Sequence, residues 1–178
     1  FFIIICFIIA FYEWNKMNKN LFYKIFGLIF LLFSFYSFYE LYSEIFLLIF
    51  VILICISTDI GGYIFGKLFK GPKITTISPN KTYAGMIGGY ILSLICLYII
   101  LSLINYQGTP IQLFTITILL SSVSQSGDIV ISFFKRKAEV KNTGSLIPGH
   151  GGLLDRIDGM IFAVPTLYMI EVIGFLDI

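Results

Sequence analysis

Two aspartates three residues apart, Asp155 and Asp158, are the side chains in this sequence best placed to do chemistry together. In a helix, side chains at positions i and i+3 lie on one face, one turn apart. Two carboxylates so placed suit Mg²⁺, which takes hard oxygen ligands and usually shares its coordination with substrate phosphates. The same pair also suits an ordinary helix start, where acidic groups complement the helix dipole. The spacing alone leaves both interpretations open.

A glycine-rich segment, Pro-Gly-His-Gly-Gly at 148–152, precedes this acidic pair. Its glycines allow backbone N–H groups to point at an anion, and the start of the helix that follows attracts phosphate. His150 has no second histidine and no cysteine in the loop with which to share a metal ion. We therefore expect His150 to donate a hydrogen bond to phosphate or to shape the turn.

Basic side chains accompany the acids in two segments. Lys135, Arg136 and Lys137 follow an apolar stretch that contains Asp128 near its end. They suit a positively charged membrane anchor, and they also suit countercharge for a triphosphate. Lys81 directly precedes another apolar stretch, where a cation is disfavoured at the positive end of a helix dipole. A phosphate bound nearby would explain a lysine at that position.

The polar segments contain acids, bases and glycines, but no Ser-His-Asp set and no zinc ligand set. Cys6, Cys55 and Cys96 lie inside apolar runs without CxxC spacing, so we expect them to behave as small apolar residues. Acids and bases without a protein nucleophile fit metal-assisted transfer on phosphates. In such reactions the protein positions and neutralises the substrates, and a substrate supplies the nucleophile.

The composition places these polar segments in a membrane protein. The chain has 178 residues, of which 58% are hydrophobic and 12% charged, whereas a soluble domain has roughly 25% charged residues. We predict an all-α, polytopic membrane helix bundle of about six transmembrane helices, forming a single integral-membrane catalytic domain. The chain begins FFIIICFIIA without a basic n-region, which indicates an N-terminally incomplete first helix. The predicted spans are 1–12, 21–39, 45–57, 83–104, 111–131 and 159–176.

The basic residues divide the connecting segments into two kinds. Lysines and arginines fall in three segments, which alternate with segments that have none. By the positive-inside rule, the three basic segments face the cytoplasm. The same side receives four aspartates, with Asp59 predicted just past the end of the third span and Asp128 near the end of the fifth. A carboxylate in or beside an apolar helix is costly, so it usually has a partner or a function.

Glycines cluster around the second basic segment. Gly85, Gly88 and Gly89 lie inside a predicted span, which indicates close packing of helices through small residues. Gly61 and Gly62 follow Asp59 directly, and they suit either such packing or the close approach of a ligand to the backbone.

Taken together, these segments resemble the signature of the phosphatidate cytidylyltransferases, also called CDP-diacylglycerol synthases. The matching residues occur in the family's order between Asp59 and Asp158. They are Asp59 with Gly61, Ser78-Pro79-Asn80-Lys81-Thr82 with Gly85, Ser126-Gly127-Asp128, Ser132-Phe133-Phe134-Lys135-Arg136, Lys141, Leu146-Ile147-Pro148-Gly149-His150-Gly151-Gly152 and Asp155-Arg156-Ile157-Asp158. Two positions depart from the pattern: Asn142 stands where the family commonly has Asp, and Ile131 where it commonly has Glu.

The resemblance implies that a phosphate oxygen of phosphatidic acid attacks the α-phosphorus of CTP, giving CDP-diacylglycerol and pyrophosphate. It implies that Asp128 and Asp155 hold Mg²⁺, with room for a second cation, and that Asp158 completes or supports this site. Further catalytic residues implied by the resemblance, which offset phosphate charge or contact phosphate, are Lys135, Arg136, Lys141, His150 and Arg156. Substrate-binding residues implied by it are Asp59, Ser78, Asn80, Lys81, Thr82, Gly149, Gly151 and Gly152.

The partners implied are CTP, phosphatidic acid and the lipid bilayer, and a homodimer is compatible with the resemblance, whereas nucleic acid is not expected. We expect the protein in the bacterial inner (plasma) membrane, with its site facing the cytoplasm. A polyprenol or phytol kinase is the alternative, because it shares acids and bases at the cytosolic face but does not need the glycine-rich run. A transporter would place charges in mid-span, whereas Glu171 is the only charge here well beyond a loop.

Overall fold

The structure, a computed structural model, describes residues 1–75, 78, 81–104, 110–144 and 151–175. The described residues form a helical bundle, and their one extended pairing is an isolated bridge between Lys73 and Thr82. The all-α class predicted from the sequence is confirmed. Its helices are α1 (Phe2–Met17), α2 (Leu21–Glu40), α3 (Ile45–Phe69), α4 (Tyr83–Ile104), α5 (Pro110–Lys137), α6 (Leu154–Ile157) and α7 (Met160–Val172).

Four of these helices, α2 to α5, are long and apolar enough to cross a membrane, and α7 is a shorter apolar helix. Two of the four extend well beyond the predicted spans. The sequence predicts that the third span ends at Ser57, but α3 continues to Phe69. The fifth is predicted to end at Ile131, but α5 continues to Lys137. Hydropathy marks where a helix is apolar, whereas the helix ends only where backbone hydrogen bonding stops.

The actual ends of these two helices coincide with left-handed backbone. Lys70 and Gly71 after α3 have φ angles of 50° and 98°, and Glu139 after α5 has a φ of 58°. A residue with positive φ cannot continue a right-handed helix. As a result, Asp59 and Asp128 lie inside helices, and Asp59 precedes the end of α3 by ten residues. Where the membrane span itself ends stays a prediction.

Glycines bring α3 and α4 into close contact. A Cβ atom on Gly61 would lie 2.3 Å from the carbonyl oxygen of Gly88, and one on Gly85 would lie 2.7 Å from the carbonyl oxygen of Gly62. No side chain fits at these distances, so the two backbones pack directly against each other. The prediction that these glycines serve helix packing is confirmed.

A hydrogen bond from α2 compensates for a proline in α7. Pro165 lies inside α7, and because proline has no N–H, it cannot donate to the carbonyl of Ile161 four residues earlier. The hydroxyl of Ser34 donates to this carbonyl oxygen at 2.8 Å, in a fully buried position. This bond satisfies a backbone acceptor that would otherwise be buried without a partner.

The apolar core divides into two clusters of buried residues. One packs α3, α4, α5 and α7 around Phe50 and Leu120. The other packs α1 and α2 against α5, α6 and α7 around Trp14 and Leu31, and it includes Ile131, which is 2% exposed. A carboxylate at position 131 would be desolvated among these apolar side chains, so isoleucine suits this core better than glutamate.

The segments that carry the basic residues meet at one end of the bundle. The Nζ atom of Lys137, at the end of α5, donates to the Tyr23 hydroxyl near the start of α2 at 2.7 Å. Lys81, just before α4, forms an ion pair with Asp128 of α5. The loop after α5 reaches α1 through Thr143, which contacts Glu13. This end of the bundle contains the candidate site.

Candidate active site

A polar cavity of about 410 Å³ opens among α3, α4, α5 and α6 at this end of the bundle. It brings together all four aspartates that the sequence singled out, although they are spread over 100 positions of the chain. The predicted site residues that line it are Asp59, Ser78, Lys81, Thr82, Asp128, Asp155 and Asp158. Thr58, Tyr63, Ile74, Met86 and Gln125 complete its walls, together with Gly62 and Gly85.

Lys81 enters the cavity because the segment between α3 and α4 folds back on itself. The amide of Ile74 donates to the carbonyl oxygen of Lys81 at 2.9 Å, next to the bridge between Lys73 and Thr82. The Lys81 ammonium then pairs with the Asp128 carboxylate and donates to the Gln125 carbonyl oxygen at 3.3 Å. The anion beside this lysine is therefore a carboxylate of α5 in the structure.

Asp155 is held through both of its carboxylate oxygens. Oδ1 accepts from the Lys135 ammonium at 2.9 Å, and Oδ2 accepts from the amides of Thr143 at 2.8 Å and Gly152 at 2.9 Å. Burial pushes the pKa of Asp155 upward, but the hydrogen bonds from Gly152, Lys135 and Thr143 outweigh burial and lower this pKa. Asp155 is thus an ionised carboxylate in a fixed orientation.

Asp158 is protonated at neutral pH, whereas Asp155 is ionised. Burial first, and then the negative charge of Asp128, raise the pKa of Asp158 to about 8, although the Lys135 ammonium acts in the other direction. The Asp158 side chain also hydrogen-bonds to that of Asp128. At neutral pH this carboxyl therefore holds a proton and bonds to a neighbouring carboxylate.

The donor set of the cavity fits a magnesium ion shared with phosphates. Among the residues that the structure describes, no three His, Cys, Asp or Glu side chains form a group that could hold a metal ion by itself. Mg²⁺ is commonly bound by one or two carboxylates together with substrate phosphates, and Asp128 and Asp158 supply two adjacent carboxyl groups. Burial, and then the negative charge of Asp128, keep Asp158 protonated, and a cation would offset that charge. Both oxygens of Asp155 are already occupied, so its predicted place as a ligand stays a prediction.

Several predicted residues lie away from the cavity lining. Arg136, Lys141 and Arg156 are exposed. Gly151 and Gly152 are buried beside Asp155. A Cβ atom on Gly151 would lie 2.7 Å from the Oδ2 atom of Asp155. Asn80, Gly149 and His150 fall outside the described residues, so the predictions for them stay predictions.

Sequence reasoning missed five polar residues around the site: Glu13, Thr58, Tyr63, Gln125 and Thr143. Glu13 is the most consequential, because it is buried against the loop that carries Asp155. The hydrophobic run of the first helix ends at Tyr12, so Glu13 looked like the start of a polar connection. The available signal was its position within a helix of apolar residues, where a carboxylate usually has a partner.

Comparison with known proteins identifies the family of the chain. Residues 1–173 match the family described as the Cytidylyltransferase family. A phosphatidate cytidylyltransferase of Staphylococcus saprophyticus is 44% identical over 121 residues, which cover 67% of this chain and 46% of the relative. One from Rickettsia typhi is 37% identical over 172 residues, which cover 90% of this chain and 75% of the relative. The chain spans about half the length of its staphylococcal relatives. It belongs to the cytidylyltransferase family.

Proposed function

We propose that this chain transfers the cytidylyl group of CTP to phosphatidic acid, giving CDP-diacylglycerol and pyrophosphate for phospholipid biosynthesis. The observation that carries the proposal is the cavity in which Asp59, Asp128, Asp155 and Asp158 meet Lys81 at one end of an apolar helix bundle. Such a site suits a reaction between a water-soluble triphosphate and a phosphate held in a bilayer. Membership of the family and the names of the relatives support the same reaction.

Different residues at the cavity would have different roles in the proposed cytidylyl transfer. The lipid phosphate is itself the nucleophile and carries negative charge at neutral pH, so no protein base is needed to activate it. Lys81 lines the cavity and Lys135 donates to the cavity residue Asp155. Both would bind triphosphate oxygens and stabilise the charge that develops on the departing pyrophosphate. Held by Asp128 and Asp158, Mg²⁺ would neutralise triphosphate charge and polarise the phosphorus under attack.

The proposed setting is the bacterial inner membrane, with the cavity facing the cytoplasm. CTP is cytosolic and phosphatidic acid lies in the bilayer, so the site must lie at their boundary. The basic side chains at the cavity end of the bundle, which include Lys81, Lys135, Arg136 and Lys137, support this orientation by the positive-inside rule.

The direct test uses purified protein in detergent with radiolabelled CTP, phosphatidic acid and Mg²⁺. We expect a labelled lipid product that depends on both substrates and on the divalent cation. A matched preparation of Asp128→Asn should form this product at least about 100-fold more slowly. A wild-type protein that labels no lipid with CTP, but labels a prenol with ATP, would replace the proposed function with that of a lipid kinase.

A further inference from the structure

Glu13 is a buried carboxylate whose hydrogen-bond partners, among the residues that the structure describes, belong to the loop and helix that carry Asp155. It lies on α1, is 3% exposed, and is distant in sequence from every residue it contacts there. Its Oε1 atom accepts from the Leu153 amide at 3.0 Å. Its Oε2 atom accepts from the Leu154 amide at 2.9 Å and from the Thr143 hydroxyl at 2.8 Å. One carboxylate thus satisfies three donors around the start of α6.

The loop is shaped around this carboxylate. A Cβ atom on Gly144 would lie 2.6 Å from Oε1 of Glu13, and one on Gly152 would lie 2.4 Å from its Oε2. Real side-chain atoms do not approach so closely, so glycine is needed at positions 144 and 152 for the backbone there to pack against Glu13. Gly144 lies beside Thr143, and Gly152 lies just before α6. Glu13 therefore contacts the chain at both of these places.

The same contacts lead directly to Asp155. The Thr143 amide donates to Oδ2 of Asp155 at 2.8 Å, and the Thr143 hydroxyl lies 3.1 Å from the same atom. A hydroxyl has one proton to donate, and its shorter contact is with Glu13. With the hydroxyl directed to Glu13, the Thr143 amide remains aimed at Asp155. Leu153 and Leu154, which Glu13 also holds, immediately precede Asp155 in the chain.

We propose that Glu13 is a positioning residue, which fixes the start of α6 and thereby the direction in which Asp155 faces the cavity. The inference rests on the proposed function, because it assigns a role in that same site. Three donors converge on Glu13, and only a group that accepts at both oxygens can serve all of them. Glutamine would present an amide NH₂ to one of these donors, and aspartate would be one methylene too short.

The test compares Glu13→Gln with Glu44→Gln in the full chain in detergent. Glu44 is exposed at the other end of the bundle, where α3 begins, so its substitution is the matched control. We expect amide hydrogen exchange at Leu153 and Leu154 to become about tenfold faster or more in Glu13→Gln, because a hydrogen bond to a charged group is lost. We expect the control to exchange like the wild type.

Turnover measurements distinguish a residue that directs Asp155 from one that only stabilises the fold. In Glu13→Gln we expect kcat to fall about tenfold or more while KM for CTP changes less than about threefold, since Asp155 is misdirected rather than removed. Unchanged exchange would overturn the inference, and so would fast exchange with wild-type kcat. If Glu13→Gln does not fold, Glu13→Asp gives the same comparison with the charge retained. A wild type without cytidylyl transfer would refute the proposed function, whereas the exchange comparison would still decide whether Glu13 holds α6.

Discussion

Two aspartates of the cavity are each paired with a lysine, Asp128 with Lys81 and Asp155 with Lys135. The side chains of both pairs are partly buried, so each charge has lost part of its hydration and depends on its partner. A phosphate that enters the cavity offers each lysine an alternative anion. Under the proposed function, the site would accept triphosphate charge by exchanging the partners of lysines that are already in place.

Substituting Lys135 by methionine tests this exchange at one residue. Lys135→Met keeps most of the side-chain length but removes the charge, so it leaves Asp155 with a negative charge that faces the substrate phosphates. We expect kcat/KM for CTP to fall at least about 100-fold, as when one charge-stabilising donor is removed from an active site. Lys19→Met, at an exposed position before α2, is the control. A Lys135→Met enzyme within about twofold of the wild type would remove this lysine from the mechanism.

Asp158 should trade stability for function. Its pKa of about 8 in the folded protein lies above the value of about 4 expected in the unfolded chain. Folding therefore takes up a proton between these pH values, so the stability linked to this group is complete below about pH 4 and is lost as pH rises towards 8. Asp158→Asn has no such proton, so its free energy of unfolding should exceed that of the wild type by a margin that grows with pH.

The measurement is thermal unfolding in detergent at pH 5 and pH 8 without divalent cations. We expect Asp158→Asn to be more stable than the wild type by at least about 1 kcal/mol at pH 8, with a smaller gain at pH 5 and no transfer activity at either. Parallel pH profiles of the two proteins would show that Asp158 does not carry this proton.

At the residue scale, the sequence predicted most of the side chains that line the cavity. Asp128, Asp155 and Asp158 stood out because ionised groups beside apolar helices are rare. Their partners did not stand out, since ordinary sequence signals do not connect Lys135 with Asp155 or Glu13 with Leu153. Those pairings depend on how helices distant in sequence pack, and composition does not carry that information.

At the scale of elements, the hydrogen bond between α2 and α7 is the contact most open to a single substitution. Ser34→Ala leaves the Ile161 carbonyl, which Pro165 cannot serve, without a donor in a dry interior. We expect a loss of about 1–3 kcal/mol in the free energy of unfolding. Ser37→Ala is the matched control, because the Ser37 hydroxyl donates to Phe33 within its own helix. Equal losses in the two variants would argue against the special role of Ser34.

The number and approximate position of the apolar helices could be predicted, but two of their ends could not. Hydropathy falls after Ser57 and after Ile131, although α3 and α5 continue to Phe69 and Lys137. The polar residues in these extensions remain helical because the cavity, the basic last turn of α5 and solvent accept their side chains. Their backbone hydrogen bonds are formed within the helix. Hydropathy averages side-chain polarity only, so it does not detect these bonds.

At the scale of the whole molecule, the bundle presents all of its basic segments at one end, and this predicts its orientation. In a variant without native cysteines, Lys19→Cys should lie at the cavity end and Ser43→Cys at the opposite end. We expect a membrane-impermeant maleimide to label Ser43→Cys in cells whose inner membrane is intact, and Lys19→Cys only after that membrane is opened. The reverse pattern would place the cavity outside the cytoplasm.

Because α3 and α5 extend past their aspartates, these carboxylates lie at a distance from the end of the bundle. At roughly 1.5 Å per residue, Asp128 lies about 14 Å below the end of α5 and Asp59 about 15 Å below the end of α3. Asp59 and Asp128 therefore lie well before the ends of their helices, whereas Lys135 and Lys137 lie in the last turn of α5. Under the proposed function, a nucleotide would reach these carboxylates past the basic last turn of α5, whereas a lipid phosphate would approach from its own leaflet. The distance between these aspartates and the helix ends would let one site receive a reactant from water and another from the bilayer.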